Sequence, residues 1–124
     1  MNNFVFNKME ELLHRKIVSD VSKIPFVRIK DYEYKIGLGE GDFLLENTKT
    51  CSLTALEVKY INLKRTGKTA RTKRNHQRNK VKKQAWVYAT HVHKKYPHRK
   101  INVYIYTNET KYQKLGEIPP HLKF

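Results

Sequence analysis

The sequence predicts an α/β domain, a mixed sheet flanked by helices. Two segments repeat apolar residues at helical spacing. Four others alternate apolar and polar residues as strands do. Their order is helix, three strands, helix, strand. Strands joined by short turns pair antiparallel, and a strand reached across a helix pairs parallel to a neighbour. At 124 residues the chain fits a single domain, 1–124, with one core.

Asn7 to about Ile24 reads as the first helix. Met9, Leu13, Ile17, Val21 and Ile24 share one face, with Leu12 at its edge. Asn7 suits a cap, Glu10 suits the first turn, and Pro25 ends the run. Glu10 sits beside the apolar stripe and Glu11 points away, so Glu10 is the acid better placed to serve the interior. Tyr32–Gly37 is the first strand expected, broken by Gly37, Gly39 and Gly41. Asp42–Glu46 is the second, and Asn47-Thr48-Lys49-Thr50 is a turn. Leu53–Leu63 is the third, with Leu56, Val58 and Tyr60 on one face. A basic loop at about 64–72 leads to a helix from about Thr72 to Lys95. Its buried stripe is Val81, Ala85, Tyr88, Val92 and Tyr96, with Gln77 and Gln84 on the flank. Pro97 stops it. Ile101–Thr107 is the fourth strand, and about 108–124 reads as an irregular tail.

The formal net charge is +15. Such an excess attracts polyanions, nucleic acid first and an anionic membrane surface second. No run approaches the ~18 apolar residues of a membrane span. The first residues lack the pattern of a secretory signal. Cys51 stands alone, so a reducing compartment, cytoplasmic or nuclear, is expected.

Two stretches carry the chemistry: Gly41-Asp42-Phe43-Leu44-Leu45-Glu46 and Leu56-Glu57-Val58-Lys59-Tyr60. Side chains on a strand alternate, so Glu57 and Lys59 share a face and Val58 takes the other. If the two strands pair as a hairpin, Asp42 lies beside Glu57. Two carboxylates and one ammonium then converge. That set can hold a hard divalent cation and aim a water at a phosphodiester. Taken alone the pattern is weak, because charges alternate on many exposed strands and Asp follows Gly in many turns.

Between Lys64 and Lys83 ten cations run without an acidic residue: Lys64, Arg65, Lys68, Arg71, Lys73, Arg74, Arg78, Lys80, Lys82 and Lys83. A polyanion is the economical explanation. No aromatic residue interrupts them before Trp86, so the segment reads as tracking a phosphate backbone, with little base-specific readout. Gly67-Lys68-Thr69 imitates the end of a P-loop, but Asn62 stands where its first glycine belongs. His91, His93 and His98 lack a cysteine partner pattern for zinc.

The element order, Asp42, Glu57-Val58-Lys59 and Gln84-Ala85-Trp86-Val87-Tyr88 together resemble the PD-(D/E)XK nuclease superfamily over roughly residues 7 to 107. That group includes restriction endonucleases, Holliday-junction resolvases and RecB-like nucleases. Gln84-x-x-x-Tyr88 is similar to the Gln-x-x-x-Tyr motif of the RecB-like branch. Glu10 matches the acid that many members carry on the first helix. Gly41 replaces the proline of the name-giving pattern. The resemblance implies a restriction-endonuclease-like αβββαβ core and a Mg²⁺- or Mn²⁺-dependent deoxyribonuclease, endonuclease rather than exonuclease. It implies metal ligation by Asp42, Glu57 and the Val58 carbonyl. Lys59 would orient water or offset phosphate charge, Glu10 would steer a second ion or the water, and Gln84 would bridge Lys59 or the scissile phosphate. Tyr88 would pack beneath Gln84. Lys64, Arg65, Lys68, Arg71, Lys73, Arg74 and Arg78 would bind the DNA backbone. RNA stays open as a substrate. A one-site domain that cuts both strands generally works as two copies, which leaves a homodimer open.

The rival reading is a non-catalytic basic nucleic-acid-binding module. It explains the charge equally well. It does not explain carboxylates gathered near a face that phosphates approach.

Overall fold

The computed structural model describes the backbone of residues 3–35, 40–61 and 67–121; side chains at 3–8, 10, 34–35 and 40–41 are outside the described set. The element order is α1 (Asn3–Ser22), β1 (Val27–Lys35), β2 (Glu40–Asn47), β3 (Leu53–Lys59), α2 (Lys68–Lys95), β4 (Ile101–Thr107) and β5 (Lys111–Ile118). The strands form one five-stranded sheet in the order β1-β2-β3-β4-β5. Among the described strands only β3 and β4 run parallel, and α2 is the crossover between them. The rule that links connection to strand direction holds throughout.

The alternation of each strand sends its side chains to two cores. On one face Leu44, Leu53, Ala55, Ile101, Val103 and Ile105 meet Val81, Ala85, Ala89 and Val92 of α2. The two alanines, fully buried, let the helix backbone approach the sheet closely. On the other face Phe43, Leu56, Val58 and Tyr106 meet Ile17 and Val21 of α1. Phe43, Leu56 and Ile17 are almost wholly buried, and burying each stabilises the fold by about 1.5–3 kcal/mol.

Several boundaries differ from those expected. α1 begins at Asn3, so Asn7 lies inside the helix and does not cap it. No Gly or Pro lies between the two positions to stop the helix extending backwards. Met9 and Ile24, assigned to the buried stripe, are exposed, and the helix packs through Leu13, Ile17 and Val21. β1 begins at Val27, five residues before the expected start, which the alternation did not mark because a bulge between Ile29 and Asp31 interrupts it; Ile36 and Gly37 of the expected strand lie outside the described residues. β3 ends at Lys59. There the Asn108 amide donates to the Ile61 carbonyl (2.8 Å) and accepts from the Ile61 N–H (2.7 Å), acting as a side-chain substitute for a strand partner.

Residues 68–72, expected in a loop, form the first turn of α2 after Gly67 at φ 107. The segment expected as an irregular tail contains β5. β5 is an edge strand with its residues exposed or half-buried, so it lacks an apolar alternation. The turn before it is closed by the Thr107 hydroxyl, which accepts from the N–H groups of Thr110 (2.8 Å) and Glu109 (3.2 Å). Tyr112 fastens β5 to the rest: its ring meets Tyr106 edge-on, and its hydroxyl donates to Asp20 of α1 (2.8 Å).

Candidate active site

Asp42 and Glu57 are direct partners in the antiparallel β2–β3 ladder. Opposite residues share a face, with Cβ atoms about 4.5–5.5 Å apart. Lys59 follows two residues later on that face. The face is the one covered by α2, since Leu44 and Ala55, which keep the parity of Asp42 and Glu57, pack against that helix. The hairpin condition set by the sequence is met. Glu57 is buried, and Asp42 and Lys59 are half-buried. The site lies where β3 ends and β2 begins, at the end of the sheet from which the chain departs toward α2.

Tyr88 of α2 lies within electrostatic reach of these carboxylates. Burial first, and then the negative charges of Asp42, Asp31, Glu57 and Glu33, push its phenol well above the usual tyrosine range. The hydroxyl therefore stays protonated and available as a donor. Gln84 is half-buried one turn earlier, on the same flank of α2. Thus Asp42, Glu57, Lys59, Gln84 and Tyr88 occupy one side of the sheet.

Two acids escaped the sequence reading. Glu33 is the β1 partner of Asp42, so Glu33, Asp42 and Glu57 form a row across three strands. Asp31 lies one pleat further along, opposite Leu44. Only the register reveals this row, and the bulge before Asp31 hides the register.

Val58 contributes nothing through its side chain, which is buried in the α1-side core. Its carbonyl is the one oxygen it can offer. Glu10 lies on α1, which packs on the opposite face of the sheet through Ile17 and Val21; its side chain is outside the described residues. Lys64 and Arg65 are outside them too.

The donor set fits magnesium or manganese. Both are hard cations that take oxygen ligands, and magnesium keeps several waters, so a carboxylate pair with a carbonyl suffices. Among the described residues no three His, Cys, Asp or Glu side chains form a metal-holding group.

Lys68, Arg71, Lys73, Arg74 and Arg78 all lie on the first half of α2. Arg78 is engaged within the protein. Its guanidinium donates to Glu109 through two nitrogens, one at 2.6 Å, and to Asn75 (2.6 Å). The Arg78 guanidinium lowers the Glu109 carboxyl below its ordinary value, with Arg74 adding to the effect. The opposite end of the sheet carries a separate electrostatic centre. There buried Glu46 accepts from Arg28 and Arg99, both at 2.6 Å.

Comparison with protein-family models, with curated proteins and with solved structures finds no match. No helix among the described residues is long and apolar enough to cross a membrane.

Proposed function

We propose that this chain is a metal-dependent nuclease that hydrolyses DNA phosphodiesters, with a site of the PD-(D/E)XK kind. The observation that carries the reading is the register pairing of Asp42 with Glu57, with Lys59 on the same face. Like charges directly opposite on a ladder destabilise a sheet. A chain with so large a positive excess has little reason to keep that arrangement near its basic helix unless it serves chemistry. The endonuclease assignment, the deoxyribose preference and the family all belong to this proposal.

Asp42, Glu57 and the Val58 carbonyl would hold Mg²⁺ or Mn²⁺. Bound there, the ion supplies charge neutralisation at the phosphate and lowers the pKa of a water. The chain's own residues do the rest. The Lys59 ammonium offsets the charge that develops on the phosphoryl oxygens or orients the attacking water. The Gln84 amide, donor and acceptor together, bridges Lys59 or the phosphate. Tyr88, kept protonated, supports that flank of the helix. Cations along α2 hold the DNA backbone by displacing its counterions.

The test is cleavage of supercoiled plasmid in Mg²⁺, in Mn²⁺ and in chelator. Wild type nicks or linearises the plasmid only with metal. Glu57→Ala and Lys59→Ala each lose at least about a hundredfold in rate, while their DNA affinity in chelator stays within about twofold. Cutting by both variants at the wild-type rate would refute the site. Chelator-insensitive binding without any cutting would instead leave the basic nucleic-acid-binding module as the function.

A further inference from the structure

Building on the nuclease reading, we infer that the first half of α2 enters the major groove of B-form DNA, so that the substrate is a DNA duplex gripped on both strands.

The helix changes character along its length. From Gly67 to Lys80 no residue is buried, whereas Val81, Ala85, Ala89 and Val92 are buried against the sheet. On the side that Val81 and Ala85 bury, this leading half carries only half-buried residues, Ala70, Arg74, Gln77 and Arg78, with Arg78 joined to Glu109; the rest of its circumference is exposed for about 20 Å, at 1.5 Å per residue. Its side chains are sorted around the axis. At about 100° per residue, Lys73 and Lys80 stand on the flank that also carries Gln84 and Tyr88, and Lys68 and Lys82 stand on the opposite flank. Between those flanks, pointing away from the sheet, lie Thr69, Thr72, His76 and Asn79, with Lys83 following on the same ridge. All five are exposed and polar.

A helix resting on one phosphate chain needs charge on one side only. Cations on both flanks are complemented by phosphates on both sides, which are the two walls of a groove. The B-DNA major groove is about 12 Å wide and admits an α-helix of about 10–12 Å diameter. The deep, narrow major groove of an RNA duplex does not. A single strand presents one line of phosphates. The polar ridge then faces base edges, which Thr, His and Asn side chains can hydrogen-bond. The flank bearing Lys73 and Lys80 is the carboxylate flank, so the strand it holds leads toward Asp42 and Glu57.

The experiment measures binding in chelator, where nothing is cut. Fluorescence anisotropy compares a 20-base-pair DNA duplex, the RNA duplex of the same sequence and the single DNA strand over a range of salt. The DNA duplex should bind at least tenfold tighter than either alternative. Lys73→Ala/Lys80→Ala and Lys68→Ala/Lys82→Ala should each reduce the slope of log affinity against log salt by about 2. Methyl green, which occupies the major groove, should displace the protein, and distamycin, a minor-groove ligand, should not. RNA duplex bound as tightly as DNA, a slope change from one pair alone, or displacement by distamycin alone would overturn the inference. Loss of plasmid cutting with groove binding intact would sink only the nuclease reading. Cutting by a protein that binds both duplexes alike would sink only this one.

Discussion

Asp42 faces Glu57 across the β2–β3 ladder, acid against acid. Neutralising one of them removes a repulsion worth about 0.2–1 kcal/mol. Asp42→Asn is therefore expected to unfold at higher urea than wild type while losing cleavage. Mg²⁺ should raise the unfolding midpoint of wild type by mass action and leave that of the variant unchanged. Urea titrations with and without Mg²⁺ check both. A variant less stable than wild type would mean that the pair holds the fold together.

Glu46 predicts the acid limb of stability. Hydrogen bonds from Arg99 and then Arg28 hold its carboxyl below the ordinary range. A depressed carboxylate adds stability above its unfolded pKa and loses it as pH falls toward the folded one. Wild type should thus lose stability as pH drops below about 4.5, the ordinary glutamate range. Glu46→Gln should be less stable at pH 7 and show a shallower loss over that window. Asp20, Glu109 and Glu117 are lowered too, so the slope flattens without vanishing. Thermal melts from pH 7 to pH 3 measure it.

The Trp86 ring lies over Gly116 of β5. A Cβ on Gly116 would sit 2.8 and 2.9 Å from two ring carbons. Gly116→Ala is expected to swing the indole, already 39% exposed, further into water. The cost should be about 1 kcal/mol, within the range for overpacking. Tryptophan emission should shift to the red, and pairing the change with Trp86→Ala should remove most of the penalty. Emission spectra and melts of the two singles and the double decide.

Arg78 and Arg71 should separate binding from folding. Arg78 is neutralised by Glu109, whereas Arg71 is exposed. Arg71→Ala should lower the salt slope of DNA binding by about 1. Arg78→Ala should lower the melting temperature and change the slope less, because Glu109 already offsets its charge. Anisotropy titrations against salt, with a melt for each variant, make the comparison.

Most of the fold was legible because its signals are local. Ile101–Thr107 alternates cleanly and is β4 as read. Pro25 and Pro97 follow α1 and α2 as read. Asp42 meets Glu57 because a short turn between two strands forces a hairpin. β5 was hidden for a physical reason. Its turn, Asn108-Glu109-Thr110, has neither Gly nor Pro, and Lys111 takes the left-handed φ of 55 usually given to Gly or Asn. The first turn of α2, before Thr72, was hidden because it holds one apolar residue, Ala70, and no apolar period marks it. Glu33 was missed because a single extra residue in β1 reverses which side chains face the helix.

The division of α2 into a largely exposed half and a packed half lets most of the first half change independently of the second. Substitutions from Lys68 to Lys80 leave the hydrophobic interior untouched, since none of its members lies there. Selection can then retune what this helix grips, swapping cations other than Arg78 or reshaping the polar ridge, without eroding the scaffold that carries the carboxylates. The exposed side of that segment is the place where such a protein would diversify first.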